Sequence, residues 1–137
     1  LIRVPTDTPP GNNAPHAERA AELFSAMGLN AEKHPIPVTE VQAAGLQSIT
    51  NLIVRRHYGA GGRTIALNAH GDVVPPGEGW THDPYGGEIE NGKIYGRGAV
   101  DMKGYIAASL AMLPAFMNSD LKSQINLYFY KKFHNEN

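Results

Sequence analysis

The chain contains no cysteine, so it forms no disulfide and offers a metal no thiolate. Any metal site in it is built from imidazole and carboxylate. No apolar run approaches the roughly 18–20 residues that a membrane span needs, so no membrane partner is expected. Runs of lysine or arginine are missing too: 12 basic residues stand against 13 acidic ones, for a formal net charge of −1. That balance gives no electrostatic footprint for nucleic acid or an anionic membrane. No signal peptide is visible and a cytoplasmic location is expected, although a chain opening on Leu1 leaves a lost leader open. The length of 137 residues suits one domain with a sizeable core.

What is present concentrates between Asn68 and Gly104. His70-Gly71-Asp72 closes an apolar run, and Asp101 stands just before a helical pattern. Side chains two apart in an extended segment project to the same side, so His70 and Asp72 can share one locale. A carboxylate beside an imidazole suits a metal site: one ring nitrogen binds the ion and the carboxylate fixes the other. Asp101 adds an oxygen donor able to bridge two divalent ions. Ligand roles for both require the ends of His70 and Asp101 to lie within roughly 8 Å, since metal–ligand bonds are near 2 Å. The plain alternative is that both aspartates cap turns and hydrogen bonds satisfy His70.

Around this stretch the pattern is mixed α/β. Residues 1–13 are irregular, broken by Pro5, Pro9, Pro10 and Gly11. A helix is expected from Pro15 to Met27, with Asn12 or Asn13 as cap, Gly28 as stop, and Ala17, Ala20, Ala21, Phe24 and Met27 on one face. His16 at its start is expected to be solvated. Residues 29–38 read as a strand that Pro35 and Pro37 push to a sheet edge, with His34 exposed. Strands at 51–58 and 64–69 flank Gly59-Ala60-Gly61-Gly62, a hairpin signal and not a phosphate loop, because no Lys-Ser/Thr or helix follows. Glu88 to Tyr95 is a second hairpin turning at Asn91-Gly92, with Ile89 facing Ile94. Gly96-x-Gly98 is no dinucleotide fingerprint, since Asp101 holds the third glycine's place. A helix over 103–117 buries Ile106, Ala107, Leu110, Ala111 and Leu113 and ends or kinks at Pro114. A last strand spans 125–130.

These features together resemble a known family. The apolar strand runs into His70-Gly71-Asp72-Val73-Val74-Pro75, followed by Gly79-Trp80 and Asp83-Pro84-Tyr85-Gly86-Gly87. Then come Glu90-Asn91-Gly92-Lys93-Ile94-Tyr95-Gly96-Arg97-Gly98 and Asp101-Met102-Lys103-Gly104. This arrangement resembles the co-catalytic zinc family of acetylornithine deacetylase, succinyl-diaminopimelate desuccinylase, aminoacylase and carboxypeptidase G, from Val4 to about Leu127. The resemblance implies a zinc-peptidase-like mixed sheet flanked by helices, of which residues 1–130 would be the amino-terminal part of the catalytic domain. It implies two zinc ions about 3.5–4 Å apart, bridged by a carboxylate and a water, with cobalt as a possible substitute. It also implies hydrolysis of N-acyl amino acids or short peptides as small-molecule substrates. Carried over by residue, His70 is a terminal metal ligand, Asp101 the bridging ligand and Asp72 the carboxylate that orients His70. The family pattern keeps Asp83-Pro84 and does not use the position of His82 as a ligand, although His82 and Asp83 are ligand types. The peptide after the bridging aspartate, here Asp101-Met102, is commonly cis in the family.

One departure is plain. After the last strand the family carries a Glu-Glu pair, general base and zinc ligand, whereas here Lys131-Lys132-Phe133-His134-Asn135-Glu136-Asn137 follows. The composition turns from Ala, Gly and Pro to Asn, Tyr, Phe and Lys over the last fourteen residues. The sequence therefore suggests a truncation or frame disruption near 118–130, an atypical tail at 131–137, and no lid domain. Two further expectations follow: an inactive chain when made alone, as a non-catalytic alternative, and an apolar edge at or beside 125–130 that promotes homo-oligomers.

Overall fold

The computed structural model describes residues 1–57 and 62–120, and the backbone of 125–132. Helix α1 spans Ala14–Ala26, with Pro15 in its first turn, where a missing amide hydrogen costs nothing. Gly28 follows the C-cap Met27 at φ +72° and lets the chain turn back. Ala17, Ala20 and Phe24 face inward, as their spacing predicts, and so does His16. The expected solvation of His16 is thus overturned: it sits one residue before Ala17, on the flank of the same apolar face, and is completely buried.

Strand β1 (Ala31–Pro35) leads into α2 (Val38–Ala43), a six-residue helix too short to leave a periodic trace. Val41 of α2 packs on Ile49 beside Ile36 and Leu46. Strands β2 (Thr50–Arg56), β3 (Arg63–His70) and β6 (Ile125–Lys132) complete a four-stranded sheet in the order β1-β2-β6-β3. β1 lies at an edge, as its prolines predict. β6 pairs antiparallel with β2 and parallel with β3, so the sheet is mixed. The expected hairpin of β2 on β3 is therefore incorrect: their directions are opposed, but β6 lies between them. Strand spacing near 4.8 Å makes their connection cross about twice that distance, and a glycine-rich segment permits this as readily as a tight turn. Its residues 58–61 lie outside the described residues. β6 is also an inner strand, not an edge; β3 takes the edge instead. β6 absorbs Lys131 and Lys132 of the expected tail, whose remainder, 133–137, lies outside the described residues.

Strands β4 (Glu88–Glu90) and β5 (Lys93–Tyr95) form a separate hairpin, with Asn91 at φ +51° and Gly92 at φ +75°, both left-handed as such a turn requires. Ile89 pairs with Ile94. Helix α3 runs from Lys103 to Met117 and buries Ile106, Leu110 and Leu113 against Phe24, Leu29, Val54 and Ala69. Ala107 and Ala111 are exposed, while Lys103 and Ser109 are buried. The helix also passes Pro114. Only three residues follow it there, and the amides of Asn118 and Ser119 close the last turn on Pro114 O and Phe116 O.

Two close approaches at glycines set the start of α3. A Cβ on Gly104 would lie 2.0 Å from the carbonyl oxygen of Ala99, and Gly98 holds φ +82° against Val73 and Lys103. The Asp101–Met102 peptide is cis. Gly104→Ala is thus expected to destabilise the fold by at least about 1–3 kcal/mol, since backbone cannot yield like a side chain. Leu52→Ala, at a fully buried position against Ala17 and Ala20, should cost about 2–5 kcal/mol. Ile89→Ala, 75% exposed, should stay within about 0.5 kcal/mol. Urea unfolding followed by circular dichroism measures all three, and a silent Gly104→Ala would contradict the packing described.

Candidate metal centre

β3 delivers His70 at its carboxyl end, where α/β folds collect ligand groups. Asp101 arrives from the segment before α3, and the two side chains meet: His70 Nε2 lies 3.2 Å from Asp101 Oδ1. The other ring nitrogen, Nδ1, is 3.1 Å from the main-chain oxygen of Asp72 and 3.4 Å from its Oδ1. The main-chain oxygen is thus the nearer partner. Asp72 Oδ1 is buried and has no hydrogen bond. Asp101, by contrast, has an exposed carboxylate.

This donor set has a chemical consequence. A neutral imidazole carries one N–H. If Nδ1 donates it towards Asp72, Nε2 presents a lone pair to the Asp101 carboxylate, and two acceptors face each other across 3.2 Å. That arrangement needs a cation: a second ring proton or a metal ion. Two metal bonds of about 2.0–2.1 Å at a tetrahedral angle place their donors about 3.3 Å apart, so the pair fits a shared divalent ion. Among the described residues, no group of three or more His, Cys, Asp or Glu converges so as to hold one.

The pair opens on a cleft of ≈ 790 Å³ whose walls include Pro9, Leu46, Ile94, Arg97 and Val100. Val74 and Val100 are exposed and give it an apolar mouth. The parallel register of β3 on β6 sets His70 opposite Lys132, so the carboxyl end of β6 arrives beside His70. The segment after that end is where the resemblance places the Glu-Glu pair; residues 133–137 lie outside the described residues.

The other sequence candidates serve the loops. His82 Nδ1 is 2.8 Å from Glu88 Oε2, and its ring stacks on Tyr95 at 3.9 Å, which ties the loop to the β4–β5 hairpin. Asp83 Oδ1 accepts the amide of Tyr85 at 2.8 Å. Trp80 Nε1 donates to Pro76 O, and the Arg97 guanidinium lies over its ring while donating to the same carbonyl. His34 is exposed beside Glu32.

Sequence reasoning missed the layer beneath. Lys103 is buried and its Nζ donates to Val4 O at 2.8 Å. Burial lowers its ammonium to about 8, against the opposing pull of Asp7. Tyr85 donates its hydroxyl to Asp7, and burial with that carboxylate raises the phenol's pKa. Thr6 is buried and donates to Gly71 O at 2.7 Å. A lysine in the first turn of a helix gives no sequence signal of burial.

Residues 66–131 match the model of Peptidase family M20/M25/M40. Succinyl-diaminopimelate desuccinylase of Methylocella silvestris is 56% identical over 119 residues, covering 85% of this chain and 28% of the relative. The enzyme of the same name from a Methylobacterium species is 45% identical over 129 residues, covering 87% and 30%. The chain thus spans less than a third of the length of these curated relatives. Among solved structures, the M20 family metallo-carboxypeptidase Sso-CP2 of Sulfolobus solfataricus superposes with a TM-score of 0.76 at 20% identity, covering 96% of this chain and 28% of its own. The di-peptidase Dug1p of Saccharomyces cerevisiae does so with a TM-score of 0.74 at 20% identity, covering 96% and 30%. With that likeness in sequence and backbone, the chain carries the amino-terminal portion of a Peptidase family M20/M25/M40 fold.

Proposed function

We propose that the protein carrying this segment is a metal-dependent amidohydrolase that cleaves N-acyl amino acids or short peptides. His70 serves as a terminal ligand, Asp101 as a bridging ligand, and Asp72 as the group that orients His70. The observation that carries this reading is the 3.2 Å approach of His70 Nε2 to Asp101 Oδ1 within a cleft. Zinc, as a pair of ions that cobalt could replace, would polarise the amide carbonyl and acidify water. Asp72 holds the ring at Nδ1, so that Nε2 points at Asp101 with its lone pair. A proton acceptor and further ligands would enter from the chain following β6, beside His70. The desuccinylase names of the relatives favour an N-succinylated diamino acid as substrate.

A second reading has its own support. Among the described residues only His70 and Asp101 converge here, whereas catalytic zinc sites use about three protein ligands. Residues 1–137 alone would then be a non-catalytic chain with weak metal binding at most.

One set of measurements separates the two. A protein containing this segment, loaded with zinc, is expected to hydrolyse N-succinyl-diaminopimelate, and His70→Ala and Asp101→Ala should each abolish turnover. Asp72→Asn should weaken zinc binding about 10–100-fold, the usual effect of removing a group that orients a ligand. Residues 1–137 by themselves should show no turnover. Zinc-dependent hydrolysis by that chain, lost in both alanine variants, would show that it completes the site itself.

A further inference from the structure

His70 and Asp101 lie on two segments, one leaving the sheet and one entering α3. Something must hold those segments in register, because ligand groups work only when placed within about 0.5 Å. The residues before α1 lie against both. On one side, Thr6 Oγ1 donates to Gly71 O at 2.7 Å, Val73 N donates to Thr6 O at 3.1 Å, and Thr8 N donates to Val73 O at 2.9 Å. These three bonds clamp the turn that carries His70 and Asp72. On the other side, Lys103 Nζ donates to Val4 O at 2.8 Å, two residues after Asp101. Arg3 Nε donates to Gly86 O at 2.9 Å and the Tyr85 hydroxyl donates to Asp7, which anchors the same strap to the 80–87 loop.

The chemistry of the two central contacts is costly unless it holds something in place. Thr6 and Lys103 are each about 1% exposed, so water does not replace the bonds they make. A buried ammonium is expensive compared with a methionine of similar shape. Gly98 makes room for it: a Cβ there would stand 2.7 Å from Val73 Cγ1 and 3.2 Å from Lys103 Cδ. Thus Val73, Gly98 and Lys103 stack in one column between the two segments.

We propose that the strap formed by residues 4–8 sets the His70–Asp101 spacing, with Thr6 and Lys103 as positioning residues for metal capture. This rests on the metal-site reading above. Loosening either bond lets one donor drift relative to the other while the apolar core, centred on Phe24, Ile106 and Leu110, stays packed.

The test is a zinc titration of a histidine-labelled protein that contains this segment together with the chain following β6, following the His70 imidazole resonances by NMR and identifying them by their loss in His70→Ala. Thr6→Val and Lys103→Met should each weaken zinc affinity about 10-fold or more. Thr6→Ser keeps the hydroxyl and should restore wild-type affinity. Leu113→Val, buried in α3 away from the site, should lower the unfolding midpoint but leave zinc affinity alone. Wild-type affinity in Thr6→Val and Lys103→Met would overturn the proposal, as would equal weakening in Leu113→Val. If one variant fails to fold, the other decides; failure of both would make the strap a folding element and not a positioning one. Unmoved His70 resonances in the wild type would instead remove the metal reading itself, and the proposal with it.

Discussion

Neutral His70 has one ring proton for two acceptors, Asp72 O at Nδ1 and Asp101 Oδ1 at 3.2 Å from Nε2. Much of the surrounding structure can be read as the means of keeping them there. Asp72 matters because, with the ring proton on Nδ1 beside it, the lone pair of Nε2 is left facing Asp101. Its buried Oδ1 without a hydrogen bond is an electrostatic cost. That cost falls when the ring carries positive charge or coordinates a cation. Imidazole, two carboxylates and the absence of thiolate together favour a borderline divalent ion over a soft one.

Geometry at this scale requires backbone segments to approach closely, which side chains would prevent. Gly104 does so against the carbonyl oxygen of Ala99, and Gly98 leaves room for the side chains of Val73 and Lys103. The apolar core does the complementary work. Phe24 from α1 and Ile106, Leu110 and Leu113 from α3 pack with Val54 and Ala69 of the sheet, fixing the axis of α3. The glycines then fix how its first turn meets the loop carrying Asp101. Core packing sets orientation, close approach sets distance, and neither suffices alone.

Much of this was legible in the sequence because it is local. Asn91-Gly92 turns the β4–β5 hairpin, Pro15 and Gly28 bracket α1, and the strand expected over 51–58 is found at Thr50–Arg56. His70-Gly71-Asp72 and Asp101 could be singled out by residue type and spacing, and the structure brings them together. Strand order was not legible, because the insertion of β6 between β2 and β3 is a pairing between distant segments that no local pattern encodes. His16 and Lys103 were missed for a related reason. Whether a polar side chain in a first helical turn meets water depends on what packs over it: here the strap and α1's own partners, both remote in sequence.

Register carries the remaining step. β6 runs parallel to β3 with His70 opposite Lys132, so both strands end on the same side of the sheet. In parallel pairing, a neighbour's carboxyl end is where a second segment can reach a group already placed at the first. Side chains alternate faces with a period of two, so a slip of one residue along β6 would turn every following side chain to the opposite face. The chemistry available to His70 and Asp101 therefore depends on which residue follows the strand in that one register, more than on the overall composition of the segment beyond it.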